Sequence, residues 1–182
     1  MLFTESLKTT AGFITQFVRS PRTVGAISPS TPFLCREMVR PVDWRQTHSI
    51  AEFGAGTGVL TRHIQRHMPH DAHLDIFETN PHFCQALQQL ADWRTQVHNT
   101  SASEISQRYD VIFSGLPLLA FSAELRHTIL SAAALALKPG GCFIQFQYSP
   151  LLESHLTRHF HWQRSLVWRN LPPAFVYLCR PR

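Results

Sequence analysis

An α/β architecture, a mostly parallel seven-stranded sheet closed by an antiparallel C-terminal pair, is the fold this sequence predicts, on three observations. From Trp44 onward, short apolar runs alternate with helical stretches, the pattern of parallel strands joined by crossover helices. Directly after the first of those runs, glycines recur at Gly54, Gly56 and Gly58. The last two β-rich runs are joined by Arg169-Asn170-Leu171-Pro172-Pro173, a turn too short for a crossover helix, so they pair antiparallel.

Each element has its own warrant. Between Leu2 and Val18, Phe3, Leu7, Phe13, Ile14, Phe17 and Val18 recur at helical spacing with Lys8, Gln16 and Arg19 between them, which predicts an amphipathic helix. Ser20-Pro21 ends it, and a loop through Gly25 and Ser28-Pro29-Ser30 leads to a short helix beginning near Pro32, a good first helical residue. Strands are expected at Ser49–Phe53, Leu74–Phe77, Thr95–His98, Val111–Phe113 and Cys142–Tyr148, with helices near Thr61, Phe83 and Leu125 between them. Gln163–Trp168 and Ala174–Cys179 form the closing pair. Typical dinucleotide dehydrogenases continue instead with parallel strands.

Composition narrows the class. The 182 residues fit one domain, with 1–45 as N-terminal helices capping a membrane or substrate face and 46–182 as the core. At 44% hydrophobic and 16% charged residues, neither a disordered nor a fibrous chain is expected. Seventeen Lys and Arg against twelve Asp and Glu give a net charge of +5, a bias toward anionic partners such as acidic lipid or nucleic acid. Apolar stretches break too early to span a bilayer and the start lacks secretory-signal features, so a cytoplasmic protein is expected. Cys35, Cys84, Cys142 and Cys179 lack C-x-x-C spacing and read as reduced core residues. His63, His67, His70 and His73 gather near one helix end without a carboxylate or cysteine at ligand spacing, so no metal is assigned.

The strongest local signal is Glu52-Phe53-Gly54-Ala55-Gly56-Thr57-Gly58. Glycines between a strand and a helix let the main chain turn sharply and approach a ligand that a Cβ would block. The spacing is G-x-G-x-G, one residue tighter than the G-x-G-x-x-G of pyrophosphate-binding loops, and an acid precedes it. That combination resembles motif I of the S-adenosylmethionine methyltransferases, and implies cofactor contacts from Glu52, Gly54, Ala55, Gly56, Thr57 and Gly58. About twenty residues on, the second strand ends in Glu78, placed to accept both hydroxyls of a ribose. Good turn chemistry alone, or a dinucleotide site, are the competing readings of the same residues.

After the third strand this fold usually carries an Asp at the adenine, whereas the segment here is Val97-His98-Asn99-Thr100-Ser101-Ala102-Ser103. Thr100 or Ser101 is the substitute, with a weaker contact than a carboxylate makes. The fourth strand runs into Ser114-Gly115-Leu116-Pro117-Leu118-Leu119-Ala120-Phe121, where the fold places a reacting amine. Ser114 is assigned to both cofactor and acceptor. The Asn-Pro-Pro-Tyr-like tetrad of adenine amino-methyltransferases is missing, so a flipped base would lose a stacking platform worth about 1–3 kcal/mol.

Beyond the glycine loop, Val24-Gly25-Ala26-Ile27 with Ser28-Pro29-Ser30, Ser114–Leu119 and Val167-Trp168-Arg169-Asn170-Leu171-Pro172-Pro173-Ala174 resemble the bacterial phospholipid N-methyltransferases of the soluble Rhodobacter type. That family shares the Rossmann-like class I methyltransferase fold and is related to the rRNA adenine dimethylases. The resemblance implies methyl transfer from S-adenosylmethionine to the amine of phosphatidylethanolamine and its methylated derivatives, by a protein held peripherally on the inner membrane face. Carbonyls of Gly115 and Leu116 are then the acceptors for amine hydrogens. Tyr148 either orients the headgroup or is a core tyrosine with a bonded hydroxyl, and Arg169 either binds the lipid phosphate or stabilises its turn. The first helix either lies in the interface of anionic lipid or packs on the core. Where the family has Asn, this chain has Ala120. An adenine N-methyltransferase of nucleic acid and a non-catalytic cofactor-binding module are the alternatives. No oligomeric state follows from the sequence.

Overall fold

The computed structural model describes residues 31–182. The expected helix Leu2–Val18 and the Val24–Ser30 stretch therefore lie outside the described residues. Helix α1 (Pro32–Val39) opens them, with the Thr31 side chain accepting from the Leu34 N–H at 3.3 Å and Pro32 in the first turn. Strand β1 (Ser49–Phe53), α2 (Val59–His67), β2 (His73–Phe77), α3 (Pro81–Leu90), β3 (Thr95–His98), β4 (Tyr109–Ser114), α4 (Ala123–Ala136) and β5 (Leu137–Gln147) follow in alternation. A single turn, α5 (Glu153–Leu156), then precedes β6 (Phe160–Val167) and β7 (Ala174–Pro181).

The sheet order is β3-β2-β1-β4-β5-β7-β6. Strands β1 to β5 pair in parallel, while β7 runs antiparallel to both β5 and β6. This is the predicted seven-stranded sheet with its antiparallel close. Every residue of β1 is buried, as a central parallel strand covered on both faces requires. Successive side chains alternate between two apolar layers. Ile50, Ile76 and Ile144 pack against Leu34 and Met38 of α1 and Ile64 of α2 on one side. Phe53, Ile112 and Phe143 pack against Ile129, Leu130 and Ala133 of α4 on the other.

Local chemistry sets the helix starts. Asn80 accepts from the His82 N–H at 2.9 Å ahead of Pro81, and Ser122 accepts from Leu125 at 3.2 Å. Helix α2 differs: Gly58 stands at its cap in the left-handed region, φ 76°, with no side-chain cap bond. Its first N–H groups therefore have no capping side chain above them.

Several boundaries depart from expectation, the start of β5 by the most. Strand β5 begins at Leu137 rather than Cys142, because Leu137 pairs with Tyr109 across a register shift that the intervening Lys138–Gly141 absorbs. Strand β6 begins at Phe160 and β7 runs on to Pro181, since Phe160 and Pro181 pair with each other. The turn α5 is an addition.

Candidate active site

The parallel strands all end on one edge of the sheet, where crevices at a change of strand order take ligands in open α/β folds. There the glycine loop after β1 lies between Glu78 after β2 and the Ser114–Phe121 loop after β4. Its three glycines all have positive φ, 68° at Gly54, 54° at Gly56 and 76° at Gly58, yet they do different things. A Cβ on Gly54 would stand 2.5 Å from Leu116 Cδ2, and one on Gly58 would stand 2.6 Å from Leu90 Cδ1. These two are bare so that the chain's own leucines can pack against them. At Gly56 a Cβ would meet nothing within 4 Å among the described residues, so this main chain is left bare by them.

Glu78 is aimed at that open stretch. Its Oε2 accepts from the Gly56 N–H at 3.0 Å and its Oε1 from the Asn80 N–H at 2.9 Å. A carboxylate has about four acceptor sites, so each oxygen keeps capacity beyond these bonds. The Glu78 carbonyl accepts from Asn99 Nδ2 at 3.0 Å, which ties the end of β2 to the end of β3. Asn99, not singled out from the sequence, thus braces the expected ribose acid.

Glu52 sits elsewhere. It is 1% exposed beneath the loop, with Thr61 Oγ1 donating to its Oε2 at 2.7 Å. Burial pushes its carboxyl up to about 8, against the pull of the Thr61 bond. At neutral pH it is largely protonated, so it supports the turn without adding full negative charge beside Glu78. Ala55 is half-buried in the loop and Thr57 is exposed on it. Beyond β3, Ser101 Oγ accepts from the Ser103 N–H at 3.2 Å and caps a short helical turn, while Thr100 stands half-buried before it.

The loop after β4 presses on the glycine loop. Gly115 donates to the Phe53 carbonyl at 2.8 Å, and a Cβ there would stand 2.9 Å from the Gly54 carbonyl. Ser114 is wholly buried, its hydroxyl accepting from the Leu116 N–H at 3.4 Å. The Leu116 carbonyl, expected to receive an amine, already accepts from the Leu118 N–H at 2.9 Å and from Gln145 Nε2 at 3.1 Å. Gln147 Nε2 adds a longer contact at 3.4 Å. With these bonds made, the Leu116 carbonyl has less capacity left for an amine hydrogen than the sequence suggested. Gln145 and Gln147, amides in a buried strand, went unassigned in the sequence because lone polar residues leave no periodic signal.

Tyr148 packs edge-on to Phe146, ring centroids 5.8 Å apart, with its hydroxyl buried and unpartnered among the described residues. Burial raises its pKa, against the pull of the Asn170 side chain. Arg169 is exposed at the β6–β7 turn and lies over the Phe33 ring at 5.6 Å. Asn170, 1% exposed, ties that turn together: its Oδ1 accepts from Thr31 Oγ1 and its Nδ2 donates to the Pro172 carbonyl, each at 2.7 Å. Because Gln147 pairs with Phe175, the turn rises on the same edge as the glycine loop.

The four cysteines are buried and form no disulfide. His67 Nδ1 lies 2.7 Å from the His63 carbonyl and His70 packs on Trp93. Among the described residues no group of three or more His, Cys, Asp or Glu is arranged to hold a metal, and no helix is long and apolar enough to cross a membrane.

Comparison with known proteins gives three findings. The methyltransferase domain family matches residues 51–143. An ornithine lipid N-methyltransferase of Singulisphaera acidiphila is 29% identical over 180 residues, 92% of this chain and 94% of that protein. Among solved structures, N-methyltransferase NodS of Bradyrhizobium japonicum with S-adenosyl-L-homocysteine aligns at a TM-score of 0.73 over 94% of this chain and 98% of that one. The 1,6-didemethyltoxoflavin-N1-methyltransferase of Burkholderia thailandensis aligns at 0.74 over 98% and 89%. Both are 14% identical to this chain and show the shared fold.

Proposed function

Because the chain belongs to the methyltransferase domain family and is an S-adenosylmethionine-dependent methyltransferase, we propose that its acceptor is the amine of a lipid headgroup, phosphatidylethanolamine and its methylated derivatives. The observation that carries this reading is the likeness to a lipid N-methyltransferase along nearly the whole of both chains. Phosphatidylethanolamine in particular is supported by the resemblance of Ser114–Leu119 and Val167–Ala174 to the phospholipid N-methyltransferases. An ornithine lipid and phosphatidylethanolamine share an amine on a lipid headgroup, so the site chemistry is common to both.

The residues present suit the cofactor. Gly56 offers bare main chain to open space, α2 begins without a capping side chain, and Glu78 stands at the rim with acceptor capacity. In this reading Gly54, Ala55, Gly56, Thr57 and Gly58 form the cradle, Glu52 supports it from beneath, and Glu78 takes the ribose hydroxyls. Thr100 and Ser101 border the base, and Ser114 closes the floor. When bound, the cofactor supplies an electrophilic methyl group.

The rest falls to this chain. An alkylammonium near the Lys reference pKa of about 10.4 is mostly protonated at neutral pH, so the site has to favour the free amine. The Gly115 carbonyl accepts an amine hydrogen and leaves the nitrogen lone pair directed along the line of attack. Burial around Ser114, Leu118 and Gln145 excludes water and disfavours the charged form. In this reading the Tyr148 ring stabilises the cation as it grows. Arg169, at the same edge, meets the anionic part of the headgroup. Access to such an acceptor implies peripheral association with the inner membrane face, favoured by the +5 charge.

The test uses purified protein, S-adenosylmethionine labelled in its methyl group, and vesicles of phosphatidylethanolamine or of ornithine lipid. Label is expected in the phosphatidylethanolamine fraction. Unlabelled lipid from protein that demonstrably binds cofactor rejects the reading, and label confined to ornithine lipid reassigns the headgroup.

A further inference from the structure

A pocket of about 50 Å³ opens between α4 and α5, apart from the glycine loop, and its polar lining is entirely basic: Arg126, His127, His155, Arg158 and His159. By the same measure one water needs roughly 10–15 Å³, so the space suits a tetrahedral oxyanion. Among the described residues no carboxylate lines it. Glu153, the acid of α5, is engaged with Arg164 and with the Tyr177 hydroxyl.

The cationic groups act on one another. The rings of His127 and His159 lie 5.0 Å apart. Burial, then Arg126 and Arg158, hold His155 below its ordinary pKa; burial, then His127 and Arg158, do the same to His159. Uncompensated like charge at this spacing is unfavourable and is relieved by a bound anion. A second observation points the same way: Arg126 Nε is buried without a hydrogen-bond partner among the described residues. Its Nη1 donates to the carbonyls of Leu118 and Phe121 at 3.1 and 3.2 Å. One guanidinium therefore touches both the pocket and the loop assigned to the acceptor.

We propose that this pocket is a phosphate-class oxyanion site, formed by Arg126 and Arg158 with His155 and His159, whose occupancy is felt by the acceptor loop through Arg126. Guanidinium groups match an oxyanion with paired N–H bonds, and protonated imidazoles add charge-assisted donors. The phosphate of a lipid headgroup and free phosphate present the same chemistry here. The site stands independently of which amine is methylated.

The test follows the imidazole C–H resonances of the full chain by NMR while inorganic phosphate replaces chloride at constant pH and ionic strength. Saturable shifts at His155 and His159 are expected, with both pKa values rising by about 0.5–1 unit at saturation. Arg158→Ala, a change at an exposed side chain, is expected to weaken phosphate binding about tenfold or more. Replacing phosphate by glycerophosphoethanolamine separates the sources: tighter saturation by the diester assigns the site to a headgroup, and saturation by phosphate alone assigns it to free phosphate. Shifts that track ionic strength without saturating overturn the proposal, as does undiminished binding by Arg158→Ala. Since the readout is histidine resonance and not methyl transfer, lipid methylation can fail while the pocket stands, and the reverse.

Discussion

The glycine-loop half of the site and the acceptor half differ in how completely their polar groups are satisfied. Around β1 to β3, Glu52 is matched by Thr61, Glu78 by the main chain of Gly56 and Asn80, and Asn99 by the Glu78 carbonyl. Around β4 and β5, three buried atoms have no partner among the described residues: Arg126 Nε, Gln145 Oε1 and Tyr148 OH. Buried polar atoms are usually paired, so the acceptor half carries bonding capacity that the described residues leave open. A cradle for one invariant cofactor can be finished by the chain alone. A site for a particular acceptor keeps open the groups that the acceptor completes.

The contrast is broken most severely at Gly56. Valine there would have to hold a positive φ that a β-branched residue rarely adopts, and its side chain would enter the open space. Gly56→Val is expected to cut cofactor affinity and methyl transfer at least about 100-fold, with circular dichroism still that of a folded chain. Gly54→Ala is the control, because its methyl group meets Leu116 at 2.5 Å and not open space. It should lower the melting temperature first. If both variants behave alike, the division of labour among the glycines is wrong.

Next in size is Glu78→Ala. Hydrogen bonds to a charged group contribute roughly 1.5–3 kcal/mol, so calorimetry should show cofactor affinity lower by about 10- to 100-fold. Vesicle association should not change. An unaltered cofactor affinity would mean that Glu78 serves the loop alone, through Gly56 and Asn80.

The two halves were also unequally legible from sequence. The alternation of parallel strands and helices followed from the apolar runs, and the start of α1 from Pro32, because such signals are local. What the sequence hid depends on register. The start of β5 at Leu137 looks like a loop until Tyr109 pairs with it. Asp75, buried in β2, is satisfied by His98 Nε2 at 2.7 Å and Tyr109 OH at 2.9 Å only once three strands are aligned. The bonds to Leu116 were hidden for the same reason: the amides of Gln145 and Gln147 reach its carbonyl from a strand about thirty residues away.

Tyr148→Phe sharpens the acceptor side with a smaller effect. Removing a buried hydroxyl that has no full hydrogen bond among the described residues should leave the melting temperature little changed. With lipid vesicles, KM for the acceptor should rise about 3- to 10-fold while cofactor affinity holds. A clear loss of stability would show that the hydroxyl has a partner in solution and belongs to the core.

The smallest effect tests the cofactor side through pH. Glu52 has a folded pKa of about 8 against an ordinary value of 4.5. As pH rises through that window, the unfolded chain gives up this proton while the folded protein keeps it, so the contribution of Glu52 to stability falls between those values. It is level below 4.5 and again above 8. His63, His155 and His159, whose pKa values are lowered, work in the opposite direction as pH approaches 6.5, so the measurement has to be a difference between variant and parent. Glu52→Gln keeps an acceptor for Thr61 and removes the titration. Its stability relative to the parent should therefore increase steadily from pH 5 to pH 8. A difference that stays flat across that range would place an ionised carboxylate beneath the glycine loop, and with it a second full negative charge beside Glu78.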